Sequence, residues 1–370
     1  MYIQHLSLRN FKNYKELEID FSEGINFITG KNASGKTNIL DAIYLLSFTK
    51  SYFNINDSQL INTHSDENFY FIEGIYKYDG GVETIKATFE KGKRKIFKRN
   101  NKEYDKLINH IGLIPLIIIT PNDTTLISEG SEVRRKFLDI LISQFDHEYL
   151  SSLVNFNKAL KQRNALLKQM AVSGYFDNRL LEPWSAKLNE YGTVIYNKRK
   201  EITLQLIDLF NYFYYKIAED NYKITIEYKS HLNEKPLPEL LAESIENDKI
   251  LQYTTKGIHK DDLIFKINGL KLKKIASQGQ QKTLLIALKL AEEKIIEEQS
   301  GKKPILILDD IFDKLDENRV ERMIKELSDS HSGQIFITDT HTGRMEEIKN
   351  KISVPSVLHK IENGKIITTK

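Results

Sequence analysis

The residue types best suited to chemistry form a short glycine-containing segment near the amino terminus. It reads Gly30, Lys31, Asn32, Ala33, Ser34, Gly35, Lys36 and Thr37, which matches the pattern G-x-x-x-x-G-K-[ST]. In this pattern the glycines let backbone N–H groups turn inward around nucleotide phosphates, the lysine supplies a positive charge and the last hydroxyl binds Mg²⁺. The segment therefore predicts a phosphate-binding loop, with Lys36 at the β- and γ-phosphates and Thr37 on the metal.

The elements on either side of this loop are those that phosphate binding requires. Residues 25–29 read as a strand, and residues 38–46 read as a helix. A helix that begins directly after the loop adds the positive end of its dipole to the phosphate site. The alternative interpretation is a simple turn with an exposed lysine, which would not require a strand before it and a helix after it.

A second group of reactive side chains follows another apolar run, far along the chain. Residues 305–308 are all apolar and precede Asp309 and Asp310, so two carboxylates are placed at the end of a buried strand. We predict that Asp309 holds the water shell of Mg²⁺ and that Asp310 orients or deprotonates the attacking water. Adjacent aspartates also occur at solvated strand ends. Paired with the phosphate loop, however, they indicate an ATPase that uses ATP and Mg²⁺.

Composition limits the remaining function classes. The chain has 370 residues, of which 28% are charged, and a net charge of only +3. It contains no cysteine, which excludes disulfides, thiolate metal sites and cysteine nucleophiles. No apolar run approaches the about 18 residues that suggest a membrane helix. We expect a cytoplasmic protein with no membrane partner.

Hydrophobic periodicity divides the chain into three segments. Residues 1–120 and 255–370 alternate strand and helix patterns, with buried strands predicted at 304–308 and 334–338. Residues 121–254 are mainly helical. We therefore predict an α/β fold in which an ATPase lobe, made of the first and last segments, is interrupted by a helical lobe.

Within the middle segment the apolar spacing predicts two helices. One lies near residues 147–171, and one long helix runs from Pro183 to about Glu219. The two could pack as a short antiparallel arm. Two core helices of an ordinary helical domain would show the same periodicity.

Basic residues crowd one predicted hairpin. They are Lys91, Lys93, Arg94, Lys95, Lys98, Arg99 and Lys102. Contact with the phosphate backbone of DNA is one interpretation, and such binding would be non-specific and salt-sensitive. An edge strand that lysines protect from aggregation is the other.

A polar stretch before a predicted helix at residues 280–298 resembles the signature motif of ABC-type ATPases. It reads Ser277-Gln278-Gly279-Gln280-Gln281. A polar helix start would look similar. In the ABC family this serine and the helix dipole bind the γ-phosphate of ATP held by the other subunit, which implies that Ser277, Gly279 and Gln280 act on a nucleotide bound by a second copy. Leu315-Asp316 resembles the D-loop of the same interface.

Together these motifs resemble the RecF family of SMC-like, ABC-type ATPases. The matching stretches are residues 8–14, the phosphate loop with Asn38, Pro121-Asn122-Asp123, and residues 134–139, 255–262 and 277–283. The resemblance implies an ABC-type head with an inserted helical lobe, with Lys12 among the nucleotide contacts. It also implies an ATP-dependent homodimer that hydrolyses ATP slowly, and partners in recombinational repair: double-stranded and gapped DNA, and RecR and RecO in loading RecA.

The sequence departs from the family pattern at several positions. Ile258 and Lys260 stand where RecF proteins usually have proline and arginine. The ABC switch histidine has no clear equivalent, and we assign His341 no catalytic role. Asn122 falls near the position of the Q-loop glutamine of related heads.

Two other functions fit parts of the sequence. The ATPase subunit of a membrane transporter would share the nucleotide motifs, but not the helical pair or the Asn10-Phe11-Lys12 element. A scaffold that bridges DNA would need a much longer coiled coil than this arm provides.

Overall fold

The computed structural model describes residues 1–218, 224–272, 278–311 and 333–369. The chain forms two compact units, one from Met1–Asp123 with Ile296–Lys370 and one from Thr124–Ile295. The second unit includes residues 255–295 as well as the helical segment. The division into functional lobes after residues 120 and 254 stays a prediction.

The first unit begins with a six-stranded antiparallel sheet. Its strands are β1 (Tyr2–Phe11), β2 (Tyr14–Asp20), β4 (Phe69–Tyr78), β5 (Gly81–Glu90), β6 (Ile96–Arg99) and β7 (Lys102–Glu103). They lie in the order β2-β1-β4-β5-β6-β7. Burial alternates along β4, so one face of the sheet packs on the core.

A second six-stranded sheet carries the nucleotide motifs. Its strands are β3 (Ile25–Thr29), β8 (Leu116–Ile119), β12 (Ile305–Leu308), β13 (Ile335–Asp339), β14 (Ser356–Glu362) and β15 (Lys365–Thr369). The order is β15-β14-β3-β13-β12-β8, and only β15 is antiparallel to its neighbour. Every residue of β3, β8, β12 and β13 is buried, as expected for parallel strands covered on both faces.

The strand predicted at residues 334–338 is β13, and two more strands follow it. The sequence prediction missed β14 and β15, because charged residues interrupt their apolar pattern. β14 lies beside β3 and therefore next to the phosphate loop.

Two helices of the first unit follow strands of this sheet. They are α1 (Lys36–Phe48) and α9 (Thr342–Lys351). α1 contacts β4 and β5 of the antiparallel sheet and β13 of the parallel sheet, so it lies between the two sheets. This position explains why ten consecutive residues, 39–48, are all buried and why α1 has no polar face.

The second unit is mainly helical. Its elements are α2 (Thr125–Ser128), α3 (Ser131–Ser143), α4 (His147–Ser173), α5 (Glu182–Ile217), α6 (Leu237–Glu243), α7 (Ile245–Leu251), α8 (Gln278–Ser300, which continues past Ile295), β9 (Ile224–Lys229), β10 (Asp262–Ile267) and β11 (Leu270–Lys271). α4 and α5 pack along each other and confirm the predicted helical pair. α5 has 36 residues, about 54 Å at 1.5 Å per residue, and Pro183 lies in its first turn.

Two buried arginines hold the helical pair to the rest of this unit. Arg163 of α4 is 1% exposed and donates to the Asp248 carboxylate at 2.7 Å. Arg199 of α5 is also 1% exposed and donates to Asp261 at 2.9 Å and to Asp139 at 2.8 Å. Because each guanidinium is nearly removed from water, losing it would leave buried carboxylates without their counter-charge.

We therefore expect Arg199→Met to lower the free energy of unfolding by about 3–5 kcal/mol, the usual cost of breaking a buried ion pair from one side. Urea unfolding followed by circular dichroism measures this change. Arg179→Met is the matched control, because Arg179 pairs with Asp177 on the surface. Equal effects from the two substitutions would contradict the structural role of Arg199.

Candidate nucleotide-binding site

The phosphate loop joins the end of β3 to the start of α1, as the sequence predicts. Two of its glycines have backbone angles that other residues rarely adopt, with φ of 152° at Gly30 and 116° at Gly35. A Cβ atom at Gly30 would lie 2.2 Å from the carbonyl oxygen of Ile361, and one at Gly35 would lie 2.4 Å from the hydroxyl of Tyr14. Both positions therefore require glycine, since neighbouring strands close tightly around the loop.

The inner surface of the loop suits an anion. Lys36 is 4% exposed, and its ammonium donates to the carbonyl oxygens of Gly30 at 2.8 Å and Lys31 at 3.2 Å, so the positive charge stays within the loop. The first turn of α1 contains no acidic residue, so no negative side chain there offsets the positive end of the helix dipole. The Ser34 hydroxyl is buried without a hydrogen-bond partner among the described residues. These features fit a bound nucleotide phosphate.

Sheet order brings the second motif to the loop. β12 is separated from β3 only by β13, and all three strands run parallel, so their carboxyl ends lie at one edge. Asp309 directly follows β12, and its Oδ1 accepts a hydrogen bond from the Thr37 hydroxyl at 3.2 Å. Two predicted magnesium ligands, far apart in sequence, are therefore in contact. This arrangement fits Mg²⁺ bound with a nucleotide.

Thr338, at the end of β13, also contacts Asp309. Its hydroxyl donates to Asp309 Oδ1 at 2.6 Å and accepts from the backbone N–H of Asp310 at 2.9 Å. Sequence reasoning missed this residue, although a threonine that ends an apolar strand was a possible signal. Thr338 positions both aspartates, because it is bonded to the side chain of one and the backbone of the next.

Burial raises the pKa of the Asp309 carboxyl above its usual value, and the two threonine hydroxyls and the charges of Lys36 and Lys12 act in the opposite direction. An ionised Asp309 is thus costly in the free protein. A bound divalent cation would relieve this cost.

Asp310 has a backbone φ of 48°, which is uncommon for a residue other than glycine. Asp310 is only partly buried, whereas Asp309 is buried. The neighbouring aspartates therefore occupy different environments. One is suited to a metal ion and the other to contact with water.

Lys12 lies in the turn between β1 and β2. Its ammonium is 2.6 Å from a carboxylate oxygen of Asp41 on α1 and 4.7 Å from the centre of the Phe53 ring. Its charge also partly opposes the rise that burial causes in the pKa of Asp309. The lysine is therefore close enough to influence the site electrostatically, and its direct contact with nucleotide stays a prediction.

Comparisons with known proteins agree with this geometry. The model of the family described as "RecF/RecN/SMC N terminal domain" matches residues 2–363. The "DNA replication and repair protein RecF" of Azobacteroides pseudotrichonymphae is 47% identical over 366 residues, covering 99% of each chain. That of Flavobacterium johnsoniae is 48% identical and covers 94% of this chain and 96% of its own. The chain belongs to the RecF family.

Solved structures give the same result. The recombination mediator protein RecF-ATPrS in the RecFOR pathway is 32% identical, with a TM-score of 0.89 over 99% of this chain and 97% of that one. A Pyrococcus furiosus Smc head domain is 17% identical, with a TM-score of 0.58 over 100% of this chain and 96% of that one. This similarity shows that the two chains share a fold. The predicted α/β, ABC-type ATPase fold and the predicted RecF resemblance are confirmed.

Part of the predicted RecF site lies outside the described residues. Ser277 and the D-loop residues Leu315-Asp316 are among these. Gly279 and Gln280 are described and lie in the first turn of α8, and the Gly279 carbonyl accepts from the Thr283 hydroxyl at 3.2 Å. Their role at a nucleotide held by a second copy stays a prediction.

Two further residues considered in the sequence analysis follow strands of the sheet that carries the nucleotide motifs. Asn122 is exposed in a short 3₁₀ turn after β8. His341 is exposed at the start of α9, and its N–H donates to Asp339 at 2.7 Å. We therefore assign neither Asn122 nor His341 a contact with nucleotide.

The basic hairpin, at residues 91–102, has most of its cations paired. Lys93 contacts Glu90 at 2.8 Å, and Lys95 contacts Asp57 at 2.8 Å. Two arginines are also paired, Arg94 with Glu103 and Arg99 with Glu83. Because carboxylates already neutralise these charges, the geometry favours the edge-strand interpretation over phosphate contact.

In the described ranges, no helix has both the length and the apolar character needed to cross a membrane.

The raised pKa of Asp309 gives a testable result for stability. At neutral pH, Asp309→Asn should leave the nucleotide-free protein at least as stable as the wild type, because the amide carries no charge to bury. A raised folded-state pKa means that the stability of the wild type falls as pH rises from the usual aspartate range to the raised value. The advantage of the variant should therefore disappear at low pH, where both side chains are neutral.

Thermal unfolding across a pH series measures this difference. Asp41→Asn is the control, because it removes the partner of Lys12 and should destabilise the protein. A large loss of stability in Asp309→Asn at neutral pH would contradict this account of the buried carboxylate.

Proposed function

We propose that this protein is an ATPase of DNA replication and recombinational repair that dimerises on ATP. The observation that carries the proposal is the contact between Thr37 and Asp309, which joins the phosphate loop to the second carboxylate motif. Similarity to the RecF-ATP and RecF-ATPrS structures supports ATP as the nucleotide. Mg²⁺ would be held by Thr37 and, through its water shell, by Asp309.

In this proposal each residue has a separate task. Lys36 holds the β- and γ-phosphates, and bound Mg²⁺ supplies positive charge to them. Thr338 fixes Asp309 and the backbone of Asp310. The Asp310 carboxylate then accepts a proton from, or orients, the attacking water. Aspartate reaches less far than the glutamate usual in ABC heads, which suits slow hydrolysis.

Relatives that are DNA replication and repair proteins, or that belong to the RecFOR pathway, support a role in DNA repair. We infer that the ATP-bound dimer binds double-stranded DNA near single-stranded gaps and is released by hydrolysis. With RecR and RecO it would help to load RecA in the cytoplasm. RecF relatives that cover the whole chain weaken the transporter alternative.

Asp310→Asn should separate ATP binding from hydrolysis. The amide can occupy the same place but cannot accept a proton, so phosphate release should fall by about 10²-fold or more. ATP affinity should remain, and sizing with ATP should show an accumulated dimer. Undiminished turnover would assign the general base elsewhere, and loss of the dimer would show that Asp310 serves nucleotide binding.

Ser277→Arg tests whether the site needs two protomers. The signature serine would act only on the nucleotide of the partner, so ATP binding by the monomer should persist while ATP-induced dimerisation is lost. Sedimentation with and without ATP measures both states. A variant that dimerises normally would contradict the shared site.

A further inference from the structure

Helix α4 presents an exposed face of unusual composition. Its charged and amide side chains are Asn157, Lys158, Lys161, Gln162, Lys168 and Gln169, all exposed. Lysines 158, 161 and 168 are three and seven residues apart, so they lie along one side of the helix. The rise of 1.5 Å per residue spreads them over about 15 Å.

This face lacks negative charge. From Tyr149 to Ser173 the helix contains no aspartate or glutamate, whereas the chain average of 51 in 370 would place about three in that length. Among the described residues, no carboxylate pairs with the three lysines. The adjacent helix α5 differs, because Glu182, Glu190, Glu201 and Asp208 are interspersed with its lysines.

Folding does not account for this pattern. Opposite charges spaced three or four residues apart stabilise a helix by about 0.2–0.5 kcal/mol per pair, and like charges oppose it. Lys158 and Lys161 form such a like-charged pair. Buried contacts of Arg163 on the opposite side fix the orientation of the helix, so the lysine face stays outward. A surface that forgoes helix stabilisation in this way is suited to an anionic partner.

We propose that the exposed face of α4 binds the phosphate backbone of double-stranded DNA. This inference rests on the proposed DNA-binding function and assigns it a surface. B-form DNA carries about one negative charge per 1.7 Å of axis, so a 15 Å row of lysines meets several phosphates in any sequence. The amides of Asn157, Gln162 and Gln169 add neutral donors to phosphate oxygens.

The composition of the face favours duplex DNA over other polyanions. Both aromatic residues of α4, Tyr149 and Phe156, are buried, so the face offers no stacking platform for the bases of a single strand. Its exposed apolar side chains are small, with Val154 and Val172 the largest, and do not suit insertion into a lipid bilayer. In the hairpin at 91–102, by contrast, four of the seven cations already pair with nearby carboxylates.

The test is the salt dependence of duplex binding by the full-length protein with ATP. The variant Lys158→Gln, Lys161→Gln, Lys168→Gln should lower the slope of log affinity against log salt by about 2.7, or about 0.9 per lost phosphate contact. Affinity should fall at least about tenfold at 0.1 M salt, equally for unrelated sequences. Replacing the same lysines with arginine should keep the wild-type slope.

A charge-matched control uses α5, where Lys187, Lys200 and Lys216 are all exposed. Their triple glutamine variant should change the slope by less than one third as much. Equal slopes for the two variants would overturn the assignment of the surface, as would loss of binding only to single strands or only to vesicles of anionic lipid. Failure of the wild type to bind DNA at any salt concentration would instead overturn the proposed function.

Discussion

The nucleotide site depends on one contact, the hydrogen bond between the Thr37 hydroxyl and the Asp309 carboxylate. These residues are 272 positions apart, and only the order β3-β13-β12 brings them together. Because β3 and β12 both pair in parallel with β13, their carboxyl ends lie at the same edge of the sheet. Thr338 on the intervening strand β13 donates a hydrogen bond to Asp309. Any change in register across β13 would separate the phosphate loop from the metal-binding carboxylate.

In the second unit, buried ion pairs hold the two long helices in place. Arg163 and Arg199 anchor the two long helices to carboxylates in the segments that follow, with almost no exposure to water. A buried ion pair is a directional contact, and it specifies one rotation of each helix more sharply than apolar packing does. The face that α4 shows to solvent is thus determined by its inner contacts. This connects the core of the unit to the surface proposed to bind DNA.

Much of this organisation follows from sequence patterns. The phosphate loop, the strand before Asp309 and the helical pair have strong local signatures, and each is present. Thr338 and the strands β14 and β15 were not predicted, because their importance comes from neighbours in the sheet. The glycine requirement at Gly30 likewise depends on Ile361. Two of the ion pairs of the basic hairpin also could not be predicted, since Asp57 and Glu83 are distant in sequence from their partners.

A double-mutant cycle of Mg²⁺-dependent ATP affinity, with Thr37→Ala, Asp309→Asn and the combined variant, tests the joined site most directly. If both residues act on one metal ion, each single change should weaken binding. The combined change should be little worse than either, with a coupling energy of about 1 kcal/mol or more. Affinity measured without Mg²⁺ should change little. Strictly additive losses would contradict the account, because they would mean that the two residues act independently.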